Sequence, residues 1–313
     1  MVTGLFICIV GEIMDDIKKQ IDELKKKILY HNDLYYNQDN PEIEDAQYDE
    51  LMRQLKKLEA ENPELITKDS PTQKVGGMAK REAGVLVKHD VPMLSLQDVF
   101  SAEEVETFVD NMQKELDNPE FVVEEKIDGL SLALRYVDGE LKLAVTRGDG
   151  VVQGEDVTAN AMQIKDIKKK IKEKLPYFEV RGEVYMTREA FSLVNEKQEL
   201  LGKRLFANPR NCAAGTLRQL DSKITKERNL SMFIFNLQKV EGIELKSHTQ
   251  AYEFMHKQGM KIIHSYKVCK TKKEVLQAIE EIGNRRGDLD YDIDGAVVKI
   301  NDFATKRKIR SNI

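Results

Sequence analysis

The sequence predicts an α+β protein: a small N-terminal helical hairpin, then a larger domain of mostly antiparallel sheets flanked by helices. Three observations carry this. Residues 15–66 repeat apolar side chains at helical spacing. From about residue 100 the period changes to strict alternation, with tight turn signals between the runs. Helices and strands are then interspersed without a regular β-α-β order.

In the first segment, Ile17, Ile21, Leu24 and Ile28 share one face on a charged background. Asn37 to Pro41 is a cluster of turn formers. A second helix follows, with Tyr48, Leu51, Met52, Leu55 and Leu58 on one face. Asp45 stands at its N-cap, Asp49 in its first turn, and Asn62-Pro63 closes it. Residues 67–92 hold no period and read as a linker. A helix is expected at 102–115 and a strand from Phe121 to Glu125. Leu130, Leu132, Leu134 and Tyr136 alternate, Asp138-Gly139 turns, and Leu141, Leu143 and Val145 alternate back as a hairpin. Phe178 to Met186 places Glu179, Arg181, Glu183 and Tyr185 on one face. Helices are expected at 188–200 and 271–283, and strands at Met232–Leu237 and Ala296–Ile300. The lysine-rich run Lys165 to Lys174 reads as a solvated loop or helix face.

Composition narrows the class. With 313 residues, 41% hydrophobic and 33% charged, the chain is too long for a disulfide-stapled miniprotein and too apolar for a disordered one. A net charge of −5 excludes a bulk-basic DNA-coating protein but not a local basic face. Cys8, Cys212 and Cys269 are far apart, which excludes a zinc cluster in this sequence and points to a reducing, cytoplasmic compartment. No apolar run is long enough to cross a bilayer. Met1 to Met14 lacks a basic leader and reads as an N-terminal extension rather than a signal peptide.

Five local patterns could carry chemistry. Glu124-Glu125-Lys126-Ile127-Asp128-Gly129 sets a lysine after an apolar strand, with acids around it. Thr146-Arg147-Gly148-Asp149-Gly150 follows the hairpin. Val180-Arg181-Gly182-Glu183-Val184 is a charged strand face. Phe206-Ala207-Asn208-Pro209-Arg210-Asn211 runs on towards Arg218, and Asp292-Ile293-Asp294-Gly295 leads to Lys299. Singly, each is explained by a turn or an ion pair.

In this order the set resembles the covalent adenylyl-lysine nucleotidyltransferases, and more narrowly the bacterial NAD⁺-dependent DNA ligases. His89-Asp90-Val91-Pro92-Met93-Leu94-Ser95-Leu96 also matches that family, as does the N-terminal hairpin through Leu34-Tyr35-Tyr36 and the stretch from Asp39 to Asp49. The resemblance implies an NMN-binding helical domain at 15–69, a linker and start of the adenylation domain at 70–100, and the adenylation domain at 101–313, with 1–14 as an extension.

It also implies roles. Lys126 attacks the α-phosphorus of NAD⁺, nicotinamide mononucleotide leaves, and Lys126-AMP remains for transfer to a nicked-DNA 5′-phosphate in replication and repair. Tyr35, Tyr36, Asp45, Tyr48 and Asp49 hold the nicotinamide half; aromatic faces suit a pyridinium and carboxylates suit ribose hydroxyls. Tyr36 stands where some members carry His. Ser95 and Leu96 line the adenine pocket, Glu124 reads the base and Phe235 stacks on it. Arg147 and Glu183 meet ribose and phosphate. Lys299 neutralises the phosphate, and Asp128 and Asp294 serve in positioning or metal support. Arg210 and Arg218 lie near the AMP phosphate or the DNA end. Lys299, Arg147 and a bound Mg²⁺ lower the pKa of Lys126.

The match stops after Lys299: a further lysine motif, the oligonucleotide-binding barrel, the zinc module and the C-terminal domains of that family lie outside this sequence. The expectation is therefore the N-terminal portion of a longer ligase, monomeric, with NAD⁺ and Mg²⁺ as cofactors, zinc only in the missing part, and no nick sealing on its own. Three alternatives stand beside it. One is an ATP-dependent nucleotidyltransferase, which labelled ATP would reveal. Another is an NAD⁺-binding module without turnover, and the last a purely structural α+β protein.

Overall fold

A computed structural model describes residues 3–36, 42–43, 45–67, 69–73, 85–93, 96–148 and 150–304; within its first two helices, side chains are described except for residues 3–16, 35–36, 45–46 and 49. The chain divides into two compact units, Met1–Ala83 with Gly148–Gly150, and the remainder.

The first unit is a helix pair, α1 (Thr3–Tyr36) and α2 (Asp45–Glu61). The helical periodicity works as expected: Ile21, Ile28 and Leu55 are buried, with Ile17, Leu24, Tyr48, Leu51, Met52, Leu58 and Leu65 packed around them. No proline interrupts the chain before Pro41, so α1 runs back through the segment read as an extension. Asp45 is the first residue of α2 rather than its cap. At the other end, the Asn62 amide donates to the Leu58 carbonyl at 2.9 Å and Pro63 starts a short 3₁₀ turn. Glu59 is buried and accepts hydrogen bonds from the hydroxyls of Ser70 and Thr72, which ties the following segment to α2.

The second unit begins with β1 (Leu86–Lys88) and α3 (Ala102–Glu115), then β2 (Phe121–Ile127), β3 (Leu130–Val137), β4 (Glu140–Thr146), β5 (Gln153–Glu155) and α4 (Thr158–Ala161). It continues with β6 (Tyr177–Tyr185), α5 (Arg188–Leu200), α6 (Pro209–Leu217), α7 (Ser222–Glu227), β7 (Ser231–Val240) and α8 (His248–Lys257). It ends with β8 (Lys267–Cys269), α9 (Lys272–Arg285) and β9 (Ile293–Ile300). Among the described residues, three antiparallel sheets form, ordered β4-β3-β6-β7, β8-β2-β9 and β1-β5. The α+β class is as the sequence predicts. The β3–β4 hairpin turns through Asp138 and Gly139, both at positive φ, the geometry that matches strand twist.

Ser101, Thr187, Asn208, Ser247 and Thr271 cap α3, α5, α6, α8 and α9, each accepting a backbone N–H of the first turn. One core packs Leu132, Leu134, Phe178, Val180 and Val184 against Cys212, Leu217 and Tyr252; a second packs Phe121, Val123 and Ile127 against Val275 and Ile282. The lysine run 165–174 is a loop whose lysines are exposed while Ile167 and Ile171 anchor it in the first core. The structure departs from the sequence reading in the region taken as linker, where β1 pairs with β5. Three-residue strands are too short to show alternation.

Candidate active site

Lys126 lies next to the end of β2, and its side chain is 37% exposed. Opposite it the β2–β9 ladder is irregular. Pairing steps from Glu125↔Ala296 to Ile127↔Ile293, so one residue of β2 faces Asp294 and Gly295 of β9. This is a β-bulge, a device that re-aims side chains. Gly295 takes φ +110°, a backbone that side chains disfavour, and Asp294 forms an ion pair with the Lys126 ammonium. Past Lys126 the Asp128 N–H donates to the Asp292 carbonyl at 3.0 Å. Gly129 is required by close approach: a Cβ there would sit 2.2 Å from the Val184 carbonyl oxygen of β6.

Glu124 and Lys299 form a buried ion pair where the two larger sheets meet. The Lys299 ammonium also donates to the Phe235 carbonyl at 2.9 Å, and the Tyr252 hydroxyl of α8 lies within hydrogen-bond reach of both Glu124 and the Phe235 carbonyl. Two cations lie over the Phe235 ring, Lys299 at 5.1 Å and Arg181 at 5.4 Å from its centroid. Burial pushes the Lys299 amine down against the opposing pull of Glu124. Burial likewise lowers the Arg181 guanidinium, to about 10.

On β3 and β6, register places Ser131 directly across from Glu183. Ser131 donates to Glu183 at 2.7 Å and accepts from Arg181 at 3.1 Å. Burial raises the Glu183 carboxyl, offset by the Ser131 bond and by the charges of Arg210 and Arg181. Arg210, in the first turn of α6, reaches Asp128 at 3.4 Å. The Arg147 backbone and side chain tie the Ser131 and Met93 carbonyls together at 3.1 Å each.

Comparison with known proteins gives the family. Residues 84–311 match the NAD-dependent DNA ligase adenylation domain, and residues 14–76 match the DNA ligase-like N-terminal NAD⁺-binding domain. The chain belongs to the NAD-dependent DNA ligase family. The DNA ligase of Clostridium kluyveri is 55% identical over 288 residues, 92% of this chain and 43% of that protein. That of Acetivibrio thermocellus is 49% identical over 299 residues, 95% and 45% of the two chains. That of Clostridioides difficile is 48% identical over 288 residues, 92% and 42%. This chain thus spans less than half the length of these relatives. A mycobacterial DNA ligase D complexed with ATP and MES superposes at a TM-score of 0.35 and 14% identity, over 58% of this chain and 49% of that one.

Set against the ligase-family expectations, the structure brings together Lys126 with Asp294, Glu124 with Lys299 and Phe235, and Glu183 with Arg181. The hydrogen bonds of Lys299 go to Glu124, Phe235 and Tyr252, not to Lys126. Arg218, at the C-cap of α6, pairs with Glu155 at 2.7 Å, away from Arg210 and Asp128. Leu96 is exposed and Tyr48 packs on the helix-pair core. The side chains of Tyr35, Tyr36, Asp45 and Asp49, and all of Ser95, lie outside the described residues. Ser131, Tyr252 and the Glu125–Tyr291 bond are absent from the sequence reading, because only register and long-range packing bring them in.

No group of three or more His, Cys, Asp or Glu able to hold a metal forms among the described residues. Asp128, Asp294 and Glu124 are each already joined to a cation. This donor set does not fit a protein-built Mg²⁺ cage. No helix among the described residues is long and apolar enough to cross a membrane.

Proposed function

We propose that this chain performs enzyme adenylation from NAD⁺, with Lys126 as the nucleophile. The observation that carries the reading is a lysine 37% exposed beside the end of β2, set against Asp294 by a bulge, close to two polar clusters suited to a nucleotide. A lysine amine titrates near about 10.4, so it is an ammonium at neutral pH and must lose a proton before it can attack. Asp294, already in contact with Nζ, accepts it. The amine lone pair then forms the N–P bond as the bond from the α-phosphorus to the bridging oxygen breaks. Nicotinamide mononucleotide departs with that oxygen, and the second amine proton passes to water. Such a transfer depends chiefly on positioning and charge stabilisation.

In this reading the base stacks on Phe235, and Glu124 with Lys299 faces its edge. Glu183, Ser131 and Arg181 hold the ribose, while Arg147 and Arg210 offset phosphate charge and Asp128 orients Arg210. NAD⁺ rather than ATP is the donor because residues 14–76 match an NAD⁺-binding domain; within it Tyr35, Tyr36, Asp45, Tyr48 and Asp49 grip the nicotinamide half. Lys126-AMP then serves a nicked duplex 5′-phosphate, as the DNA ligase relatives suggest.

Two separately labelled forms of NAD⁺ test this. Label in the adenosine half should stay on the denatured protein, label in the nicotinamide half should leave, and neither should attach to Lys126→Ala. Labelling from ATP instead, or reversible NAD⁺ binding without covalent product, would overturn it.

A further inference from the structure

The reverse face of β2 carries a second buried carboxylate that adenylation does not use. Glu125 is 3% exposed, points away from Glu124 and Lys126 by strand alternation, and accepts from the Tyr291 hydroxyl at 2.7 Å and from Arg285 at 3.3 Å. Tyr291 lies in a short strap, residues 290–294, that ends at Asp294. The strap is tied by several bonds, and its Ile293 pairs with Ile127 in the β2–β9 ladder. Arg188 N–H donates to the Asp290 carbonyl at 2.8 Å, Tyr291 bonds to Glu125, Arg188 pairs with Asp292 at 2.9 Å, and Asp128 N–H meets the Asp292 carbonyl at 3.0 Å. On the other side of Asp294 the chain passes into Gly295, where a Cβ would meet nothing within 4 Å. Beyond Gly295 the β2–β9 ladder resumes at Ala296↔Glu125, so Asp294 is held in the bulge between the strap on one side and the ladder on the other.

We propose that Glu125 and Tyr291 form a positioning bond that fixes Asp294 against Lys126 from the face of β2 opposite the substrate. The inference rests on Lys126 being the nucleophile. A buried charged bond is weak evidence for a stabilising role. Removing a carboxylate from water is costly, and apolar residues of similar volume in such a place are often as stable or more so. Burial and the Glu125 contact hold the Tyr291 phenol well above its ordinary range, so it remains a donor. Tyr291 also packs on Tyr185 and Phe233, with centroids at 5.1 and 5.3 Å. Those contacts survive in a phenylalanine variant, which removes the hydroxyl alone.

The test is the single-turnover rate of AMP attachment, read by intact-protein mass across NAD⁺ concentrations, beside thermal unfolding. Tyr291→Phe and the double variant Glu125→Leu/Tyr291→Phe should lower the maximal rate about tenfold and leave the half-saturating NAD⁺ concentration within about twofold. The double variant should unfold within a few degrees of the parent. Glu125→Gln, which keeps an acceptor for Tyr291, should recover most of the rate. A parent-like maximal rate in Tyr291→Phe, or a Glu125→Gln variant as slow as the double, would overturn the positioning role. Absence of AMP on the parent protein would instead refute the adenylation reading, and this inference with it.

Discussion

Glu124 and Glu125 are adjacent on β2 and almost equally buried, 2% and 3% exposed, yet they belong to different machinery. Glu124 faces the junction of the two larger sheets, where Lys299, Tyr252 and Phe235 meet it. Glu125 faces the second core, where Tyr291 and Arg285 meet it. Burial of a charge therefore does not by itself mark a nucleotide contact. What separates the two is the company each face keeps: two cations near an aromatic ring on one side, an aromatic cluster under a strap on the other. Lys126, one residue on, shares the Glu124 side by alternation, and the bulge opposite brings Asp294 to it from the strap.

The comparison breaks most sharply at the Glu124 face. Glu124→Ala leaves the Lys299 ammonium buried with its carboxylate gone, and removing one partner of a buried pair costs about 3–5 kcal/mol. Urea unfolding should show that loss, and AMP labelling should fall away. Glu124→Gln/Lys299→Met should regain much of the stability without the labelling. If the double variant labels like the parent, the pair is a structural bond and not part of the nucleotide site.

A smaller effect is expected where the two faces are joined. Gly295→Ala forces a side chain into φ +110°, strain of about 1–3 kcal/mol. Because Gly295 sits in the bulge, the AMP-attachment rate should drop by more than the unfolding midpoint alone explains. Equal losses, with labelling restored at lower temperature, would show that the bulge only holds the ladder.

The smallest effect is a pH dependence at Glu183. Burial raises its carboxyl above the unfolded value of 4.5, so its ionisation costs stability above that pH and costs nothing once both states are protonated. Glu183→Gln should raise the melting temperature at pH 7, and the gain should shrink as the pH falls towards about 4. A gain that is constant with pH would mean Arg181 and Arg210 already compensate the charge.

Much of this was legible in the sequence because it is local. Asp138-Gly139 in a hairpin and Asp294-Gly295 before a β-branched run are decided by neighbours, whereas β2 runs on through Lys126 to Ile127 instead of ending at Glu125. The α+β class followed from the change of period. What escaped depends on distance along the chain. Tyr252 reaches Glu124 across 128 positions and Tyr291 reaches Glu125 across 166. Ser131 meets Glu183 only once the β3–β6 register is known. The strands β1, β5 and β8 have three residues each, too few for a period. Arg218 looked equivalent to Arg210 in the sequence, but α6 separates them, carrying one at its first turn and the other at its C-cap.

The central claim is that Lys126 takes AMP from NAD⁺, and the intact mass of the protein tests it most directly. A sample first shown to be free of AMP is incubated with NAD⁺ or with ATP, beside Lys126→Ala. The account predicts a gain of one AMP with NAD⁺ alone, absent in the variant. No gain with NAD⁺, or an equal gain in Lys126→Ala, would contradict it.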